Sequence, residues 1–142
     1  MPMSEANLCV CGSGRERGAC CGPVLAGSAP AATAEALMRS RYAAYVEAAR
    51  DYLLASWHPD TRPPRLDLDP DQRWLGLKIL STEAGGADDE AGVVEFVARS
   101  KVAGRGQRLH EISRFSRYRG AWVYVDGERG ATDGAKRGRK TR

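Results

Sequence analysis

The sequence predicts an α+β fold, a long helix packed on a four-stranded antiparallel sheet, with a small metal-bound element in front of it. Three observations carry this: four cysteines confined to residues 9–21, an amphipathic stretch over 34–56 without Gly or Pro, and β-type runs with Gly-rich breaks after Pro70. The 142 residues, 42% hydrophobic and 28% charged, suit one globular domain with a small appendage and exclude a second full domain.

Residues 1–25 are rich in Cys and Gly and have little apolar periodicity, so something other than a core must order them. Cys9, Cys11, Cys20 and Cys21 stand in a C-x-C-x8-C-C spacing, and no other cysteine occurs. Met1 to Asn7 carry Glu5 but no Lys or Arg, and no apolar run follows, so no secretory signal and a cytoplasmic location are expected. A cytoplasmic chain does not keep disulfides, and four clustered thiolates complete the closed tetrahedral site of structural zinc, with no position left for water. The alternatives are free structural thiols or, in an exported protein, two disulfides. Gly12, Gly14, Gly18 and Gly22 allow sharp turns around an ion, and Arg15 and Arg17 are expected to offset the excess thiolate charge. Chelation is expected to loosen this element and leave the α+β body folded.

Residues 26–32 read as a linker. Thr33 is the expected N-cap of the helix, with Glu35 at the positive end of its dipole. From Thr33 to Ser56, Leu37, Arg41, Tyr45, Ala49 and Leu53 form one stripe with Met38, Tyr42, Val46 and Tyr52 beside it, the spacing of a single amphipathic helix that ends before Pro59, Pro63 and Pro64. Trp74 to Thr82, Val93 to Val102, Leu109 to Tyr118 and Ala121 to Asp126 are the four strands of an antiparallel meander. This α+β body spans 33–128. Residues 129–142 hold six of the 22 basic residues (Arg129, Lys136, Arg137, Arg139, Lys140 and Arg142) and one acid, Asp133, so the remainder is net −1 in a chain of net +4. With no large apolar residue, this stretch reads as a disordered tail with weak, nonspecific polyanion affinity. No apolar run reaches the roughly 20 residues of a membrane span.

Cys9-Val10-Cys11-Gly12-Ser13-Gly14 followed by Cys20-Cys21-Gly22 resembles the SEC-C motif, the zinc element also found at the C-terminal end of the bacterial preprotein translocase ATPase. Leu37-Met38-Arg39-Ser40-Arg41-Tyr42, Trp57-His58-Pro59, Trp74-Leu75-Gly76-Leu77, Phe96-Val97-Ala98-Arg99, His110-Glu111 before Ser113-Arg114-Phe115, and Trp122 through Gly127 together resemble the bacterial YchJ family. The resemblance implies a SEC-C zinc element joined to a cystatin-related, nuclear-transport-factor-2-like cone in which a curved sheet wraps the helix and leaves a cavity at one end. It implies no established activity.

The polar candidates for that cavity are His58 and Glu111 as acid and base, with Arg41, Tyr45 and Trp57 beside them and Arg39, Arg99 and Arg114 as anion partners. Neighbouring strand residues point to opposite faces, so Glu111, which shares a face with Leu109, Ser113 and Phe115, is expected inward and paired with Arg41 or Arg39. His110 is then expected outward. No G-x-S-x-G, P-loop or dinucleotide fingerprint is present. The expected function is a non-enzymatic adaptor or ligand-binding scaffold, with a protein partner at the zinc element and a small ligand in the cavity. The alternative is a small hydrolase, dehydratase or isomerase.

Overall fold

The computed structural model describes residues 7–130. Most of the basic cluster assigned to the tail, from Lys136 to Arg142, lies outside the described residues. A 3-10 turn over Arg17–Ala19 leads into helix α1 (Cys21–Ala26), followed by α2 (Ala34–Glu47), α3 (Arg50–Ala55) and strands β1 (Gln72–Ala84), β2 (Ala91–Val102), β3 (Arg105–Tyr118) and β4 (Ala121–Arg129). The strands form one antiparallel sheet in the order β1-β2-β3-β4, the expected meander. The β2–β3 and β3–β4 hairpins close through Ala103-Gly104 and Arg119-Gly120, where both turn residues have positive φ, as type I′ turns require.

The register slips at Leu75 and Leu80 in β1 and at Val125 in β4, and such bulges bend a strand around its cover. That cover is α2. Thr33 caps it by accepting a hydrogen bond from the Ala36 N–H at 3.0 Å. Its buried Leu37, Met38 and Tyr42 form one core with Val94, Phe96, Ala98, Phe115 and Trp122.

The single helix expected over 33–56 is two helices. Ala48 adopts a left-handed conformation (φ 58°, ψ 38°), and the Ala49 N–H bonds back to the Ala44 carbonyl at 2.8 Å, closing α2 in a Schellman-type cap. Glycine normally takes that position, and an alanine there leaves no mark in the amphipathic pattern. The break lets α3 pack beside α2, where Ser40 Oγ meets the Tyr52 hydroxyl at 2.6 Å and Arg41 Nη1 donates to the Leu53 carbonyl at 2.8 Å.

After α3 the chain runs along the free edge of β4. The Tyr124 N–H donates to the Ser56 carbonyl and the His58 N–H to the Tyr124 carbonyl, at 2.9 and 2.8 Å. Strand β4 itself continues to Arg129, and the Gly130 N–H bonds the His110 carbonyl at 2.8 Å. Arg129, the first residue assigned to the tail, is therefore part of the sheet, and Gly130 is bonded to its edge, by backbone pairing that needs no apolar side chain.

Candidate metal centre and cavity

The four cysteines converge. Leu8 and Glu16 bridge in antiparallel fashion, so residues 9–15 form a loop that carries Cys9 and Cys11, while Cys20 and Cys21 sit at the start of α1. All four Sγ atoms lie within 4.8 Å of one another, with Cys11 to Cys20 at 3.6 Å and Cys20 to Cys21 at 3.9 Å. Zinc–sulfur bonds of about 2.3 Å in a tetrahedron place the sulfurs about 3.8 Å apart, so the donor set fits such an ion. Each of the four cysteines is free of disulfide.

The sulfurs titrate unequally. A hydrogen bond from Cys21 pulls the Cys11 thiol down to about 4 against the opposing effect of burial, and that bond together with burial pushes Cys21 up. A divalent cation removes this conflict by letting all four deprotonate.

The expected counter-charges are not the ones used. Arg17 reaches away to Glu47 on α2 at 2.9 Å, and Arg15 is exposed. Arg39 from α2 stands there instead: its Nη1 donates to the Cys11 carbonyl at 2.7 Å and lies 3.8 Å from the Cys11 sulfur, while Nε binds Glu35 at 2.9 Å. The cluster is also no separate unit, since Cys9, Cys11 and Cys21 belong to the same buried core as Leu37, Tyr42 and Phe96.

A cavity of about 250 Å³ lies between α2 and the sheet. Of the expected pocket residues, Arg41, Tyr45, Trp57 and Glu111 line it. His58 is outside the lining: its Nδ1 accepts from the Asp60 N–H at 3.0 Å and its ring packs on Tyr118. Trp57 and His58 are consecutive residues on an extended edge, so their side chains diverge, and the expected acid–base pair is not assembled.

Glu111 does face inward with Ser113, but among the described residues no arginine is paired with it. Its Oε2 accepts from Ser113 Oγ at 2.7 Å and from the Tyr124 hydroxyl at 2.9 Å. The carboxylate also packs over Gly127, occupying the space a Cβ there would need. Arg41, 4% exposed, binds the Leu53 carbonyl and Ser56 Oγ, and its guanidinium lies over the rings of Trp57 and Tyr124 at 5.0 and 4.7 Å. Among the described residues no carboxylate is in ion-pair contact with it. Burial lowers the arginine from its ordinary value, and burial with the Glu111 charge raises the Tyr124 phenol.

His110 lies on the opposite face of the sheet, away from the cavity as expected, and at 3% exposed it is buried there. Its Nε2 meets Glu95 Oε2 at 2.7 Å, and its ring fills the space beside Gly130. Arg99 is exposed and Arg114 pairs with Asp126 at 2.7 Å. Ser113 shares the inward face with Glu111 as expected, but its hydrogen bond to that carboxylate and the part played by Tyr124 went unrecognised in the sequence.

A four-thiol knuckle seated on an α+β cone with an internal cavity defines a class of small bacterial proteins. The family model described as "YchJ, middle NTF2-like domain" matches residues 33–127, and the chain belongs to the YchJ family. A UPF0225 protein of Chromobacterium violaceum is 56% identical over 123 residues, covering 84% of this chain and 90% of that protein. One from Streptomyces coelicolor is 54% identical over 120 residues, covering 84% and 94%. The solution structure of a SEC-C motif containing protein from Rhodopseudomonas palustris superposes with a TM-score of 0.76 at 40% identity, covering 86% of this chain and 98% of that one. Among the described residues no helix is long and apolar enough to cross a membrane.

Proposed function

We propose that the protein is a non-enzymatic binding scaffold in which a structural zinc knuckle, held by Cys9, Cys11, Cys20 and Cys21, braces a cone whose cavity receives a small ligand. The observation that carries this reading is the arrangement of Arg41, Tyr124 and Glu111. Opposite charges flank one tyrosine inside aromatic walls, and neither neutralises the other by direct contact. A cavity that served packing alone would join the two charges or omit them, because a buried charge without an ionic partner costs stability. Four thiolates in a tetrahedral array favour zinc, and reduced thiols suit the cytoplasm.

Ligand-observed NMR of the zinc-loaded chain against a fragment library tests the scaffold reading. Fragments that bind the protein and are lost in Ala98→Leu, which fills the cavity wall, are expected; a library with no such fragment overturns the reading.

A second reading, an adaptor that meets a protein through the zinc knuckle, is favoured by Val10, an apolar side chain 45% exposed between the first two cysteines. A photo-crosslinking residue at position 10 should then give one discrete protein adduct in cells, and the absence of any adduct removes that reading.

A further inference from the structure

We infer that the cavity takes an uncharged planar heterocycle carrying a lactam edge, of the size of a nucleobase. This rests on the scaffold reading above and names the ligand class for it.

Arg41 offers hydrogen-bond donors and no acceptor, whereas the Glu111 carboxylate offers acceptors and no donor. Tyr124 stands between them, its ring under the guanidinium and its hydroxyl on the carboxylate. A ligand reaching both groups must present an acceptor and a donor at once. A carboxylic acid would satisfy Arg41 but meet Glu111 with like charge, and an amine would satisfy Glu111 but meet Arg41. A neutral –NH–C(=O)– edge satisfies both. The indole Nε1 of Trp57, also in the lining, is a buried donor with no partner among the described residues, and it would be satisfied by a second acceptor.

The remaining walls set the shape. Tyr42, Tyr45, Trp74 and Phe96 present aromatic surface, which favours a flat π-system over a flexible chain, and about 250 Å³ accommodates one or two rings. A second groove of about 390 Å³ shares Tyr45, Gln72 and Trp74 with the cavity and carries Asp67, Asp69 and Arg50. Arg50 is already bound to the Leu66 carbonyl at 2.8 Å. Asp67 is paired with Arg65 at 3.0 Å, so charges of both signs border this groove, and a polar uncharged substituent such as a sugar is tolerated on that side.

Isothermal titration of the zinc-loaded full chain is the test, with uracil, hypoxanthine, inosine, benzoate and benzylamine as probes. Uracil or hypoxanthine should bind at least about tenfold more tightly than benzoate or benzylamine, and inosine should bind about as tightly as hypoxanthine. Glu111→Gln should weaken the lactams about tenfold or more and strengthen benzoate, a reversal that loss of a merely structural residue would not produce. Ala98→Leu should abolish binding of every probe; if it does not melt cooperatively, Leu109→Trp on the same wall replaces it. Tighter binding of benzoate or benzylamine, or an unchanged preference in Glu111→Gln, overturns the lactam class while leaving a binding cavity in place. Failure of every probe also overturns the class, and the library screen against Ala98→Leu then decides separately whether the scaffold reading falls with it.

Discussion

Arg39 on α2 donates to the backbone carbonyl of Cys11 at 2.7 Å and places its guanidinium 3.8 Å from that residue's sulfur. One side chain thus fixes the loop bearing two of the thiols and supplies positive charge to the cluster from a helix of the neighbouring body.

Arg39→Met should lower metal affinity by about tenfold to a hundredfold, the range found when groups supporting a ligand are removed. Competition against a chromophoric chelator measures it. Arg17→Met loses only an exposed pair with Glu47 and should change stability by no more than about 1 kcal/mol. Equal effects of the two substitutions would show that the Arg39 contact has no special weight.

Metal removal should lower the melting temperature of the whole domain. The sequence alone suggested that chelation would free residues 1–25 and spare the body, but Cys9, Cys11 and Cys21 are packed in the body's own core. Calorimetry with and without chelator should show one transition that moves down, with elemental analysis giving one zinc per chain. A body transition that stays in place would mean that the packing between knuckle and cone contributes little.

Ala48→Gly should stabilise the protein, by about 0.5–1 kcal/mol. The left-handed conformation costs an L-residue about 1–2 kcal/mol, and glycine returns part of that gain through its larger entropy loss on folding. Urea unfolding gives the sign directly, and destabilisation would indicate that the Ala48 methyl group makes contacts outweighing the strain.

Stability should fall at high pH. Burial raises Tyr42, Tyr45, Tyr52 and Tyr124 above the ordinary value of 10. The unfolded chain then ionises first, so their contribution is complete below about pH 10 and is lost as the pH climbs toward the higher folded-state values. Tyr124→Phe should flatten this loss in a series of melts from pH 9 to pH 11; an unchanged slope would assign it to other groups.

The strand order, the helix cap at Thr33 and the inward face of Glu111 were all legible, because period-2 and period-3.6 patterns and a capping side chain are local properties. What escaped was set by contacts distant in sequence. Arg41 carries no local sign that it will bind a carbonyl and a hydroxyl of the next helix rather than Glu111. His110 reads as an outward strand residue, and what covers it there includes Glu95 in the neighbouring strand and Gly130, the residue after β4. Arg15 and Arg17 lie nearest the cysteines in the chain, whereas Arg39 is 28 residues from Cys11.

The knuckle's dependence on α2 also bears on synthesis. Chains grow from the N-terminus at about 5–20 residues per second, so the four thiols leave the ribosome before Arg39, and before β1, whose Leu77 carbonyl lies against Gly12. During that interval the sulfurs are nucleophilic and uncovered, open to oxidation or to capture of another soft metal. The nascent chain is thus vulnerable at these thiols until the cone has been made to bury them, and a metal ion bound early would protect them.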